Sequence, residues 1–97
     1  MTIIDLNKYA PLITRRELGD EIYSLIKQEL DKNDVVEVRM DRIVSMTTFC
    51  AKQIFGRLYV EMGREEYRQR VRLVNPSDDV SFIIRIGVTN AMKEMNG

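Results

Sequence analysis

Val35-Val36-Glu37-Val38-Arg39-Met40-Asp41-Arg42-Ile43-Val44-Ser45-Met46-Thr47-Thr48-Phe49-Cys50-Ala51 is the stretch whose reading decides the fold. Up to Met40 it has the pattern of a strand. Val35, Val36, Val38 and Met40 are apolar while Glu37 and Arg39 alternate outward, as in a strand covered more fully on one face than on the other. Residues 41–46 make the exit from that strand. The period then changes to that of a helix over residues 47–62, with Ala51, Ile54, Leu58 and Met62 as its stripe and Phe49 and Phe55 beside it. Gly63 falls where a left-handed C-cap belongs. A strand that hands over to a long helix is the unit of an α/β layer.

The flanking sequence repeats that unit. Residues 2–6 (Thr-Ile-Ile-Asp-Leu) are β-branched in character and predict a first strand, with residues 7–13, including Pro11, as a connector. Thr14 and Glu17 have the spacing of a capping box. Behind them Leu18, Ile22, Leu25, Ile26 and Leu30 share one face of an amphipathic helix. Lys32-Asn33-Asp34 is a polar turn. Residues 64–69 predict a further helical turn and residues 71–74 a third strand. Ser77 is a natural N-cap before Asp78 and Asp79, whose charges suit a helix start. Val80, Ile83, Ile84, Gly87 and Ala91 continue that helix on one face, with a strand over residues 81–88 as the competing reading. The expected architecture is one α/β domain over residues 1–97, a βαβαβα layer with a mixed or parallel sheet of three to four strands. Helices that follow strands bring their N-termini to one sheet edge, where ligands and partners meet such folds. Here that edge is expected from residues 42–48 and 75–78.

Composition narrows the function classes. The chain has 97 residues, with 15 Lys and Arg against 15 Asp and Glu, and therefore no net charge. That balance argues against a general nucleic-acid or anionic-membrane binder. The absence of histidine removes the commonest general base and zinc ligand. One cysteine closes no internal disulfide, and no apolar run is long enough to span a membrane. Asp5 and Lys8 interrupt the start too early for a signal peptide. The expectation is a soluble cytoplasmic domain without enzymatic activity, cofactor or metal, and with neither nucleic acid nor membrane as its partner.

Ser45, Thr47 and Thr48 are three hydroxyls where a strand gives way to a helix. A phosphate there meets free backbone N–H groups and the positive end of the helix dipole. The plainer reading is that one hydroxyl caps the helix. Cys50, in the first turn, reads as an inert buried thiol. Arg64, Arg68, Arg70 and Arg72 surround Tyr67, but Glu61, Glu65 and Glu66 interleave with them at helical spacing, which predicts a solvated, ion-paired face. Asp41, Asp78 and Asp79 are carboxylates at the expected edge without metal-ligand spacing, and Arg42 is placed there to hold an anion. Phe82, Ile86, Val88, Tyr59 and Val60 exceed what one small core needs, which suits a homodimer, a partner groove or a helix buried on two sides.

An acidic residue closing an apolar strand, followed by Ile43-Val44-Ser45-Met46-Thr47-Thr48-Phe49-Cys50-Ala51-Lys52-Gln53-Ile54-Phe55-Gly56-Arg57-Leu58, resembles the STAS-like domain family of uncharacterised function. Arg16-Glu17-Leu18-Gly19 and Val71-Arg72-Leu73-Val74-Asn75-Pro76-Ser77 are similar to that family's other landmarks, in the same order, and together they cover roughly residues 1–95. The resemblance implies kinship with STAS domains of anti-sigma factor antagonists, which bind a kinase-type anti-sigma factor and are switched off when it phosphorylates a Ser or Thr at this helix start. Aligning Gly56-Arg57 puts the acceptor at Thr48, with Thr47 in place of the usual aspartate and Phe49 in place of a glycine; a one-residue gap puts it at Thr47. The implied function is a regulatory interaction module that docks a kinase-type ATPase or sensor through the Ser45–Thr48 edge and the second helix, with Asp41, Arg42, Asn75 and Ser77 as the partner- or anion-binding edge residues. The alternatives are a nucleotide- or anion-sensing domain and a structural dimerisation or accessory subunit.

Overall fold

The structure, a computed structural model, describes residues 1–96. Strands β1 (Thr2–Asp5), β3 (Val36–Arg39) and β5 (Val71–Val74) form a parallel sheet in the order β1-β3-β5. The α/β class is as expected. Ile3 pairs with Glu37 and Glu37 with Arg72; Ile4 pairs with Val38 and Val38 with Leu73. Since side chains alternate along a strand, the two rows face opposite ways. Ile4, Val36, Val38 and Val71 are buried, while Ile3, Asp5, Arg39 and Arg72 are exposed. The sheet therefore has one covered and one open face.

The covered face packs against helices. In α1 (Arg16–Lys32) the inward stripe is Ile22, Ile26 and Leu30, joined by Tyr23. The second long helix is continuous over residues 48–62: α2 (Thr48–Ala51), a π-helical stretch (Lys52–Gly56) and α3 (Arg57–Met62). Cys50, Ala51, Ile54, Phe55 and Leu58 line its buried side. After α4 (Arg64–Arg70) and β5, α5 (Asp78–Asn96) crosses the π-helical stretch. The crossing is closest at glycine. A Cβ built on Gly87 would lie 2.6 Å from the Lys52 backbone N, and one on Gly56 would lie 2.8 Å from the Gly87 carbonyl oxygen. Helix, not strand, is thus the state of residues 81–88.

Three local expectations are corrected. The connector holds a 3-10 turn (Leu6–Tyr9), which buries Leu6 completely, and a two-residue strand, β2 (Leu12–Ile13). β2 pairs in parallel with β4 (Ser45–Met46). That pairing overturns the Thr14–Glu17 capping box: the chain stays extended through Arg15 (φ −96°, ψ 141°), so α1 starts at Arg16 with no side-chain cap. Gly63 has the positive φ expected of it (86°), but with ψ at 158° it is extended rather than left-handed helical, and it joins α3 to α4. Ser77, by contrast, caps α5 as its position predicts: its Oγ accepts the Val80 N–H at 3.1 Å.

Candidate functional site

The start of the second helix is held against the start of α1. The Thr47 N–H donates to the Ile13 carbonyl at 3.1 Å, which continues the β2–β4 ladder into the helix entrance. Thr47 is the N-cap, its Oγ1 accepting the Cys50 N–H at 3.1 Å. Thr48 follows as the first helical residue and is exposed. Phe49 is half exposed, with the Arg16 guanidinium 5.6 Å from its ring centre. Cys50 is fully buried, and its thiol donates to the Arg15 carbonyl at 3.6 Å. Gln53, one turn on, donates to the Arg16 carbonyl at 3.0 Å and to Asp20 Oδ1 at 2.6 Å.

The three hydroxyls therefore have different surroundings. Ser45 is half-buried within β4, opposite Leu12. Thr47 is engaged in the cap. Thr48, the first helical residue, is exposed beside the half-exposed Phe49. Exposed Leu12 (50%) and Val44 (63%) add apolar surface on the segments that lead into α1 and α2.

Beyond Phe49 an open groove of about 510 Å³ runs between the outer side of the second helix and the C-terminal turns of α5. Its apolar lining is Phe49, Val60, Ala91 and Met95. Lys52 and Glu94 form an ion pair across it, and Arg57 pairs with Glu61 at 3.4 Å on its rim. Glu61 also accepts a hydrogen bond from the Tyr23 hydroxyl. Burial works against its charge there, but the Tyr23 hydroxyl, Lys27 and Arg57 together hold its carboxyl below the usual carboxylate range.

Of the residues expected at the carboxyl edge, Asp41 and Arg42 line a separate, polar basin of about 530 Å³ at the ends of β1 and β3, together with Asp5, Asn7, Lys8 and Arg39. Asn75, in the left-handed region (φ 55°), donates to Asp41 Oδ2 at 3.1 Å, and Arg39 lies 3.5 Å from the same oxygen. The Asn75 hydrogen bond and the Arg39 cation keep the Asp41 carboxyl below its ordinary pKa despite some desolvation. The Arg42 N–H donates to Asn7 Oδ1 at 2.7 Å, and the Asn7 N–H to Asp5 Oδ1 at 2.9 Å. Lys8 completes the rim, its ammonium 5.1 Å from the Tyr9 ring centre. Of the four edge residues, Asp41 and Asn75 are bonded, Arg42 lies beside them, and Ser77 is occupied as the α5 cap. Asn7 and Lys8 were missed as basin residues because residues 7–13 read as a connector, and Asp5 because it read as part of the first strand. The Asp-x-Asn spacing that builds an Asx turn was the available signal.

Tyr67 is not a free stacking platform. Its ring packs edge-on against Tyr59 with centroids 5.3 Å apart, and burial pushes its pKa up to about 12. Arg70, in the same cluster, donates to the Leu30, Asn33 and Asp34 carbonyls at 2.5, 3.1 and 3.0 Å. It is a structural cap for the end of α1. No family model, curated protein or solved structure matches the chain. Among the described residues no helix is long and apolar enough to cross a membrane.

Proposed function

We propose that this chain is a regulatory protein-interaction module that resembles anti-sigma factor antagonists, with Thr48 as its phospho-acceptor. The observation that carries the reading is the division of labour between the two threonines: Thr47 holds the helix cap, and Thr48, one residue on, is exposed beside a half-exposed Phe49. An exposed apolar ring beside a modifiable hydroxyl is the arrangement a charge-controlled docking surface needs. The partner of this reading is a kinase-type ATPase. It transfers the γ-phosphoryl group of ATP to Thr48 Oγ1: the Oγ1–phosphorus bond forms, the bond to ADP breaks, and the hydroxyl proton is lost to solvent. The product carries nearly two added negative charges, which disrupt an apolar contact by desolvation cost and repulsion.

Affinity purification from the native host in the presence of ATP, with mass spectrometry of both co-purifying proteins and residues 45–48, tests this reading. A kinase-type ATPase together with phosphate on Thr48 is the expected outcome. A stable partner with no phosphate on residues 45–48 sinks the switch. Two substitutions separate switch from cap. Thr48→Glu abolishes partner binding with little change in melting temperature, whereas Thr47→Ala costs about 1 kcal/mol of stability through the lost cap.

The basin supports a second reading, an anion- or nucleotide-sensing domain, because Lys8, Arg39 and Arg42 converge there with only Asp5 and Asp41 opposing them. A thermal shift with nucleotide that plain phosphate does not reproduce, and that Arg42→Gln removes, supports it; no shift with either refutes it.

A further inference from the structure

Thr48 and Lys52 stand one helical turn apart, the Lys52 N–H donating to the Thr48 carbonyl as well as to that of Phe49. Residues four apart on a helix are surface neighbours, and an acidic group N-terminal to lysine is the favoured order of such a pair. At present the Lys52 ammonium is engaged elsewhere: it pairs with the Glu94 carboxylate near the end of α5. That pair spans the groove lined by Phe49, Ala91 and Met95.

We propose that Lys52 is the residue that reads a phosphate on Thr48, exchanging Glu94 for the phosphate and so releasing the last turns of α5 from the wall of the groove. The proposal rests on the phospho-acceptor reading above and adds the route by which the modification reaches the groove. The exchange has the right sign. The Lys52–Glu94 pair is a surface bridge, with the Glu94 side chain 66% exposed, and bridges of that kind hold little. A phosphate carries up to twice the charge of a carboxylate and three acceptor oxygens. It also sits on the same helix as Lys52, so pairing with it fixes no second element. Arg16, over the Phe49 ring, is the competing cation.

The test uses the full chain carrying phosphothreonine at position 48, with inorganic phosphorus NMR and amide hydrogen exchange as readouts. Lys52 is expected to hold the phosphate's second pKa, ordinarily about 6, lower by about 0.2–0.4 of a unit than it is without that lysine. Exchange of residues 92–95 is expected to speed up about two- to fivefold on phosphorylation, the loss of one surface ion pair. Lys52→Gln in the phosphoprotein raises the pKa by the same amount, and Glu94→Gln in the unmodified chain reproduces the faster exchange. A phosphate pKa unchanged by Lys52→Gln, or one that follows Arg16→Gln instead, overturns the assignment. So does an α5 end whose exchange is indifferent to the phosphate. These outcomes do not depend on whether the native host phosphorylates Thr48, which is the separate test of the function proposed above.

Discussion

The crossing of α5 over the π-helical stretch makes a sharp prediction about Gly87→Ala. The new methyl carbon would sit 2.6 Å from the Lys52 nitrogen, 2.7 Å from the Ala51 carbonyl carbon and 2.8 Å from the Ala51 Cβ. Non-bonded carbon atoms are comfortable at about 3.5–4.0 Å, so each contact is short by about 1 Å. The two closest atoms belong to the backbone of a buried helix, and no rotamer change moves them aside. α5 must lift as a body, which opens the packing of Val80 and Ile84 against the core. Overpacking of this kind costs about 1–3 kcal/mol, and a clash with backbone belongs at the upper end. Replacing glycine inside a helix returns about 1 kcal/mol through propensity. The net is a loss of about 2 kcal/mol, or about 8–16 °C in melting temperature for a domain of this size. Gly19→Ala is the matched control. Its new Cβ would approach an atom more closely still, but that atom is Gln53 Oε1, at the free end of a side chain that can turn away. Gly19→Ala forfeits the Gln53 hydrogen bonds and gains propensity, so it should fall within about 1 kcal/mol of wild type. Thermal and urea unfolding followed by circular dichroism measure both. A Gly87→Ala protein as stable as wild type, or less damaged than Gly19→Ala, refutes the reasoning that backbone contact at this crossing holds the fold.

Gly63→Ala tests conformation without crowding. No atom lies within 4 Å of its built Cβ, but its φ of 86° with ψ of 158° belongs to glycine, so alanine should cost about 1–3 kcal/mol in the same unfolding assay. Arg70→Met keeps the aliphatic stem and removes three hydrogen bonds to the end of α1; urea unfolding should register a loss of about 2 kcal/mol. In alkali, Tyr9, Tyr23 and Tyr67 should ionise at about 12 rather than 10, in each case chiefly because burial disfavours the phenolate, aided by Glu21 at Tyr9 and by Glu61 at Tyr23. Their folded pKa values are raised, so the stability they supply is complete below pH 10 and drains away between about 10 and 12. Ultraviolet titration beside urea melts at pH 9 and 11.5 would show both.

What was legible in the sequence follows from which signals are local. The helix stripes of Ile22, Ile26 and Leu30 and of Ile54 and Leu58 are periodic, and each lands on a buried face. Ser77 and Thr47 cap because a hydroxyl needs only the next turn's N–H groups. The capping box at Thr14 failed for a non-local reason: residues 12–13 pair with residues 45–46, more than thirty positions away, and a chain held in a ladder cannot begin a helix at that point. The same pairing placed Ser45 in a strand and thereby separated it from Thr47 and Thr48. The basin was half legible. Asp41 and Arg42 were placed by the strand end, but Asn7 enters through a hydrogen bond to the Arg42 backbone 35 residues away.

The π-helical stretch was invisible to periodicity, because its stripe survives a locally widened turn, yet it is where fold and candidate site meet. It begins at Lys52, the residue whose nitrogen Gly87 crowds and whose ammonium bridges to Glu94. Stretches of this kind are uncommon and frequent at functional sites. Here a structural cause is at hand, since Gly56, Gly87, Ala51 and Ala91 bring two helices close enough for backbone contact. That contact anchors the first part of the second helix from behind, while the β2–β4 ladder and the Thr47 cap anchor it from in front. Thr48 and Lys52 are thus carried on a segment fixed at both ends. On that surface the Lys52–Glu94 pair is the contact whose exchange passes a change at Thr48 to the end of α5.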